Sequence, residues 1–156
     1  MVKYAMVPTT KKHVKALARN MRQADVDEVW ATAHFTPLAA VKFGWQTSRE
    51  VTTGLADGVV LCIFGIAQRT VMSDTGIPWM LTTHYLPLHA RAVLRANKGW
   101  IERARANYPL LMNYVDVRNR VAIRWLEWLG FELFDPEPFG VERLPFQRFE
   151  MRTENV

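Results

Sequence analysis

Two periodicities share the chain. Val14, Leu17, Ala18 and Met21 recur at intervals of one, three and four, with Lys11, Lys12, Lys15, Arg19 and Arg22 on the other face. This is an amphipathic helix with one buried stripe. Tyr4 to Val7 before it is a short β-type run ended by Pro8, and Thr9 and Thr10 offer hydroxyl caps. Asp25 or Asp27 can cap a second helical stretch containing Val29, Trp30 and Ala33, and Pro37 suits the first turn of a further helix through Val41. The pattern then shifts to strand. Val59 to Phe64 is continuously apolar, as in a strand covered on both faces. Gly65 interrupts it, Ile66 to Met72 continues in strand style, and Pro78 to Thr83 reads as another strand. Asp57-Gly58 and Ser73-Asp74-Thr75-Gly76 are turns. Connections this short predict an antiparallel meander.

From Leu88 to about Asn107 a long helix is expected, with Val93, Leu94, Trp100, Ile101 and Ala104 inward and Pro109 as its stop. Leu110 to Val117 is strand-like. Asn119 is placed to cap a helix that runs to Leu129, with Gly130 at its end. Phe131 to Phe134 is a strand, Asp135-Pro136-Glu137-Pro138 with Gly140 a rigid loop, and Leu144 to Met151 alternates as a last strand. The order is β, α, α, β, β, β, α, β, α, β, β: an α/β (α+β) layout around one mixed central sheet. No repeat, linker or composition break divides it, so residues 1–156 form a single domain.

Composition narrows the class. The chain is 49% hydrophobic and 22% charged, with six Trp and eight Phe, which suits a packed globular core and excludes disorder. Val59 to Ala67 is far short of the ~20 apolar residues that span a bilayer. Met1-Val2-Lys3-Tyr4 carries no signal-peptide pattern, and the lone Cys62 suits a reducing compartment, so a cytoplasmic location is expected. Charge is uneven. Between Pro87 and Trp125 stand Arg91, Arg95, Lys98, Arg103, Arg105, Arg118, Arg120 and Arg124, opposed only by Glu102 and Asp116. Such a field favours an anionic partner: a phosphorylated ligand, an acidic protein surface or nucleic acid.

The run Asn119-Arg-Val-Ala122-Ile123-Arg-Trp125-Leu126-Glu-Trp-Leu129-Gly130-Phe131, with that element order, resembles the GNAT superfamily of acetyl-CoA-dependent N-acetyltransferases. Pro78 to Met151 is more closely similar to the GNAT-like proteins of short-tailed bacteriophages, of the internal virion protein A type. The resemblance implies an acetyl-CoA site on Leu81, Thr82 and Thr83 at the end of a strand, on His89, Ala90 and Arg91 at the start of the long helix, and on Asn119. It implies proton transfer by Asp116 or His84. Two departures stand against the family pattern. The turn His84-Tyr85-Leu86-Pro87-Leu88-His89-Ala90-Arg91 lacks the glycines that let phosphate approach the backbone. Leu126 stands where many members carry a proton-donating Tyr.

Other chemistries lack their residues. His13, His34, His84 and His89 have no metal-ligand spacing, neither Ser48 nor Ser73 sits in a nucleophile elbow, and Cys62 lies inside an apolar strand. Tyr108, Tyr114, Trp125, Trp128 and Phe131 are expected to pack in the core. The first expectation is therefore a phage GNAT-fold protein with a degenerate cofactor loop that binds a host or virion protein, in the host cytoplasm or the virion. The alternatives are an active acetyl-CoA-dependent N-acetyltransferase and a basic nucleic-acid binder; no metal and no membrane are expected.

Overall fold

The computed structural model describes residues 1–153. Strand β1 (Tyr4–Pro8) leads into helices α1 (Lys11–Arg19), α2 (Gln23–Ala33) and α3 (Pro37–Thr47). A meander follows: β2 (Ser48–Ala56), β3 (Val59–Ala67) and β4 (Thr75–Thr82). A 3₁₀ turn over Leu86–His89 runs into α4 (Ala90–Asn107); then come β5 (Leu110–Asp116), α5 (Arg120–Leu129), β6 (Glu132–Leu133), β7 (Glu137–Phe139) and β8 (Leu144–Arg152). The strands form one sheet in the order β1-β2-β3-β4-β5-β8-β6, with β7 beside β8. Every pairing is antiparallel except β4 with β5.

The mixed α/β architecture is the expected one, with a helix and a strand more than the expected order. β2 was not anticipated, because three of its four buried positions are small or polar (Thr53, Gly54, Ala56) and only Val51 carries an apolar signal. Val59–Ala67 is one strand, not two. Gly65 leaves room for Trp79: a Cβ there would lie 3.3 Å from the indole and 3.1 Å from the Glu50 carbonyl oxygen. The strand ends at Ala67, and Val71 and Met72 stand in an exposed turn. β7 occupies part of the expected rigid loop.

The caps explain several boundaries. Thr10 accepts from the His13 N–H at 3.3 Å, Thr36 from Ala39 at 3.3 Å, and Gly130 closes α5 at φ +100°, a conformation that costs glycine little. Neither Asp25 nor Asp27 caps α2; Arg22 holds that position without a side-chain bond. Asn119 stands at the cap of α5 but sends its side chain elsewhere. On one sheet face Ile63 and Leu81 pack against Val14, Leu17 and Val41 of α1 and α3. On the other, Phe64 meets Val93 of α4 and Leu86. A third cluster joins Leu111, Val115, Phe131 and Phe149 to Ile101. Tyr108 packs against this last cluster, and Tyr114 stacks on Phe139 at 4.0 Å. Trp128 is half exposed beneath Lys98, not in the core.

Candidate functional site

β4 and β5 pair only at their beginnings, Thr75 with Leu110 and Gly76 with Leu111. Further along, one side-chain bond spans them, from Asn113 Nδ2 to the Pro78 carbonyl at 2.8 Å. Because the Thr83 N–H donates to Leu61 of β3, antiparallel alternation turns Trp79 and Leu81 toward β3 and leaves Pro78, Met80 and Thr82 facing the gap. A cavity of about 280 Å³ opens there. Met80 and Thr82 form its β4 side, Pro87 and Ala90 the entry to α4, Asn119 and Trp125 the α5 side, and Arg22, Asp25 and Glu28 the α2 side.

α2 closes the far end of this gap with a charged network. Asp25 Oδ2 accepts from the Thr82 N–H (2.9 Å) and hydroxyl (2.6 Å). Its Oδ1 accepts from Arg22 Nη2 (2.9 Å) and Asn119 Nδ2 (3.3 Å). Arg22 also donates to Asn119 Oδ1 (2.9 Å) and to the Thr82 hydroxyl (3.1 Å). Asp25 is 3% exposed, a depth tolerable for a carboxylate because a guanidinium and three further donors satisfy it.

One turn along α2, Glu28 Oε1 accepts the Asp116 N–H at 2.7 Å. Glu28 lies deep in the fold and is reached only in part by solvent, from the cavity it lines. Burial, and then the charge of Asp25, push its carboxyl up to about 8. Its proton therefore titrates near neutral pH, as a general base requires. Asp116 itself is fully engaged: Arg118 holds both its oxygens, the shortest contact being 2.6 Å from Nη2.

A second cavity, about 390 Å³, lies on the other side of α2. Trp30, Phe35, Pro37 and Leu144 give it apolar walls, and Asp27, Arg118 and Glu142 stand at its rim. The link from β7 to β8 covers it, strapped to α2 by Val141 N to Thr32 O (3.1 Å) and Glu142 N to Ala31 O (3.3 Å), with His34 and Glu142 in contact at 2.8 Å.

Of the residues expected from sequence, Thr82, Ala90 and Asn119 meet at the first cavity. Leu81 is buried in the α1–α3 core. Thr83 turns inward to the Val60 carbonyl at 2.8 Å. His89 is tied to the Tyr4 hydroxyl at 2.8 Å, and Arg91 is exposed. Asp116 sits behind Glu28, bound to Arg118. His84 is exposed, stacks on Tyr85 and lines neither cavity. Cys62 is buried, and burial pushes its thiol up to about 12. Sequence reasoning missed Arg22, Glu28 and Met80 and took Asp25 for a cap. The signal was present: Arg22, Asp25, Glu28 and the buried Ala31 lie three apart, so the charges share the inward stripe of α2. Among the described residues no group of three metal-ligating side chains occurs, and no helix is long and apolar enough to cross a membrane.

No family model and no curated protein matches the chain. Solved structures do. Ard1 from Thermoplasma volcanium superposes with a TM-score of 0.70 at 13% identity, covering 97% of this chain and 99% of that one. The yncA protein of Salmonella typhimurium, solved with its cofactor acetyl-CoA, gives 0.65 at 14% identity, covering 99% and 96%. An acetyltransferase of the GNAT family from Streptococcus pneumoniae gives 0.61 at 12% identity, covering 97% and 100%. At these identities the likeness shows the fold: the chain has the GNAT architecture.

Proposed function

We infer that the chain is an N-acyltransferase that moves an acyl group from a pantetheine thioester to an amine, with Glu28 taking the amine's proton. The observation that carries this reading is the position of Glu28, a protonatable carboxyl near neutral pH that lines the cleft between β4 and β5. The C–N bond forms as the C–S bond breaks, Glu28 accepts one proton from nitrogen, and a proton returned to sulfur completes the balance. Asp116 positions Glu28 through its N–H, and Arg118 holds Asp116 in place. Met80 presents backbone N–H and C=O groups for the amides of the arm. Acetyl-CoA, the cofactor in the yncA structure, supplies such a thioester.

The two ends of that cofactor fare differently here. The cleft has room for a pantetheine arm. At about 280 Å³ it falls just below the roughly 300–1,000 Å³ of sites that enclose drug-sized ligands. The entry to α4 does not fit a diphosphate. Pro87 has no N–H, the turn holds no glycine, and the 3₁₀ turn precedes the helix end whose free donors would cradle phosphate.

Two observations favour a second reading. The Thr82 N–H on the cleft edge is already occupied by Asp25, and Leu126 offers no proton. These features favour a GNAT-fold protein whose cleft is vestigial and which works by binding a host or virion protein, the phage reading that the resemblance of Pro78 to Met151 implies.

Thiol release separates the two. S-acetylpantetheine and acetyl-CoA would be offered with a panel of primary amines and the free thiol measured. Wild-type turnover is expected, with kcat/KM rising to a plateau above pH ~8. Glu28→Gln should lower kcat about 10²–10³-fold while donor affinity holds. Absence of thiol release with every amine would sink the acyltransferase reading and leave the binding one.

A further inference from the structure

The surface around the cleft mouth carries two features that the reaction itself does not use. The first is charge. Arg91 and Arg95 flank the α4 entry, and Arg120 and Arg124 flank the cavity-lining residues Val121 and Trp125 on α5. All four are exposed, and none is in an ion pair among the described residues. Lys98 over Trp128, at 5.3 Å, shows that the two basic helices lie side by side. The second is apolar relief. Leu88 is 87% exposed on the turn between cavity-lining Pro87 and Ala90, with Tyr85 (40%) and Val121 (46%) also uncovered near the mouth.

We propose that the acyl donor is presented by an acidic carrier protein, which docks on this basic rim and threads a phosphopantetheine arm into the cleft. The proposal rests on the acyltransferase reading and names the donor for that site. Three observations converge on it. The cleft accommodates a thin arm and offers Met80 to its amides. The turn into α4 contains Pro87, which has no N–H, and no glycine, so it offers a nucleotide diphosphate fewer backbone donors. Exposed apolar residues next to these arginines on two adjacent helices match the anatomy of a protein interface, where aliphatic anchors sit beside charges that speed encounter with an oppositely charged partner. A nucleic-acid strand would use the arginines but leave Leu88 and Val121 without partners.

The test uses the full chain and four probes: a bacterial acyl carrier protein loaded with an acetyl-phosphopantetheine arm, acetyl-CoA, S-acetylpantetheine and a single-stranded oligonucleotide. Affinities would be measured by calorimetry at low and moderate salt. The loaded carrier is expected to bind at least tenfold more tightly than acetyl-CoA and to weaken with salt. The double variant Arg95→Glu, Arg124→Glu, whose sites are solvent-exposed, should weaken carrier binding tenfold or more and leave S-acetylpantetheine unchanged. Acetyl-CoA binding as tightly as the carrier, a carrier affinity indifferent to the charge reversal, or tighter binding of the oligonucleotide would each overturn the proposal. Turnover of S-acetylpantetheine with no carrier preference removes this inference alone, whereas no turnover of any donor removes the acyltransferase reading as well.

Discussion

Glu28 ties the proposed chemistry to stability through one proton. Folding raises its carboxyl from the ordinary value of 4.5 to about 8 by burying it beside Asp25. Between those values the folded chain holds a proton that the unfolded chain has lost, so stability falls as pH rises through this window. Glutamine keeps the shape and an acceptor for the Asp116 N–H but cannot ionise. Thermal unfolding is therefore expected to show wild type and Glu28→Gln converging near pH 4.5, with the variant the more stable at pH 9. Parallel profiles across that range would mean that Glu28 is not the proton-holding group. The sequence displayed this residue without marking it. A glutamate in a helix is ordinarily solvated, and only the inward stripe shared with Arg22, Asp25 and Ala31 sets it apart. Asp116, which the sequence did mark, proves to be bound by Arg118.

The elements with a strong period were legible: α1 with its Thr10 cap, α4, α5 ended by Gly130, and the alternating β8. β2 was not, since beside Val51 its buried positions are a threonine, a glycine and an alanine. The strand β3 was split because Gly65 reads as a breaker in isolation, whereas it serves to seat an indole from the next strand. The same contrast governs the entry to α4. There the absence of glycine and the presence of one proline were a clear negative sign, and the 3₁₀ turn is its structural form. Converting Pro87 and Leu88 to glycine restores one N–H donor and removes a bulky neighbour. Calorimetry should then show acetyl-CoA binding strengthened about tenfold, equivalent to about 1.4 kcal/mol, close to the lower end for a single hydrogen bond to a charged group. S-acetylpantetheine, which has no phosphate, should be unaffected. An unchanged acetyl-CoA affinity would show that the turn is not what excludes the diphosphate.

At the scale of the molecule, the sheet is two antiparallel halves joined along a short parallel seam. β1 to β4 carry α1, α2 and α3 in one half, and β5 to β8 carry α5 in the other. Beyond Gly76 and Leu111 the halves are held by side chains: Asn113 to Pro78, Arg22 to Asn119 and Glu28 to the Asp116 N–H. Much of the strength of the joint thus resides in α2, which is why the cleft remains open although the strands run side by side. This arrangement has a consequence for single amides. Trp79, Leu81 and Thr83 bond into β3, and the Thr82 N–H is held by Asp25. Met80 alone among these turns its N–H to the open seam, so it should exchange with deuterated solvent fastest of residues 79–83. S-acetylpantetheine, lying along that edge, should slow the Met80 amide more than its neighbours, because an amide carbonyl of the arm replaces water as its acceptor. Exchange at Met80 as slow as at Leu81 in the free protein would mean that the strand edge is already paired and the cleft shut. Fast exchange that the ligand leaves untouched would place the arm elsewhere on the fold.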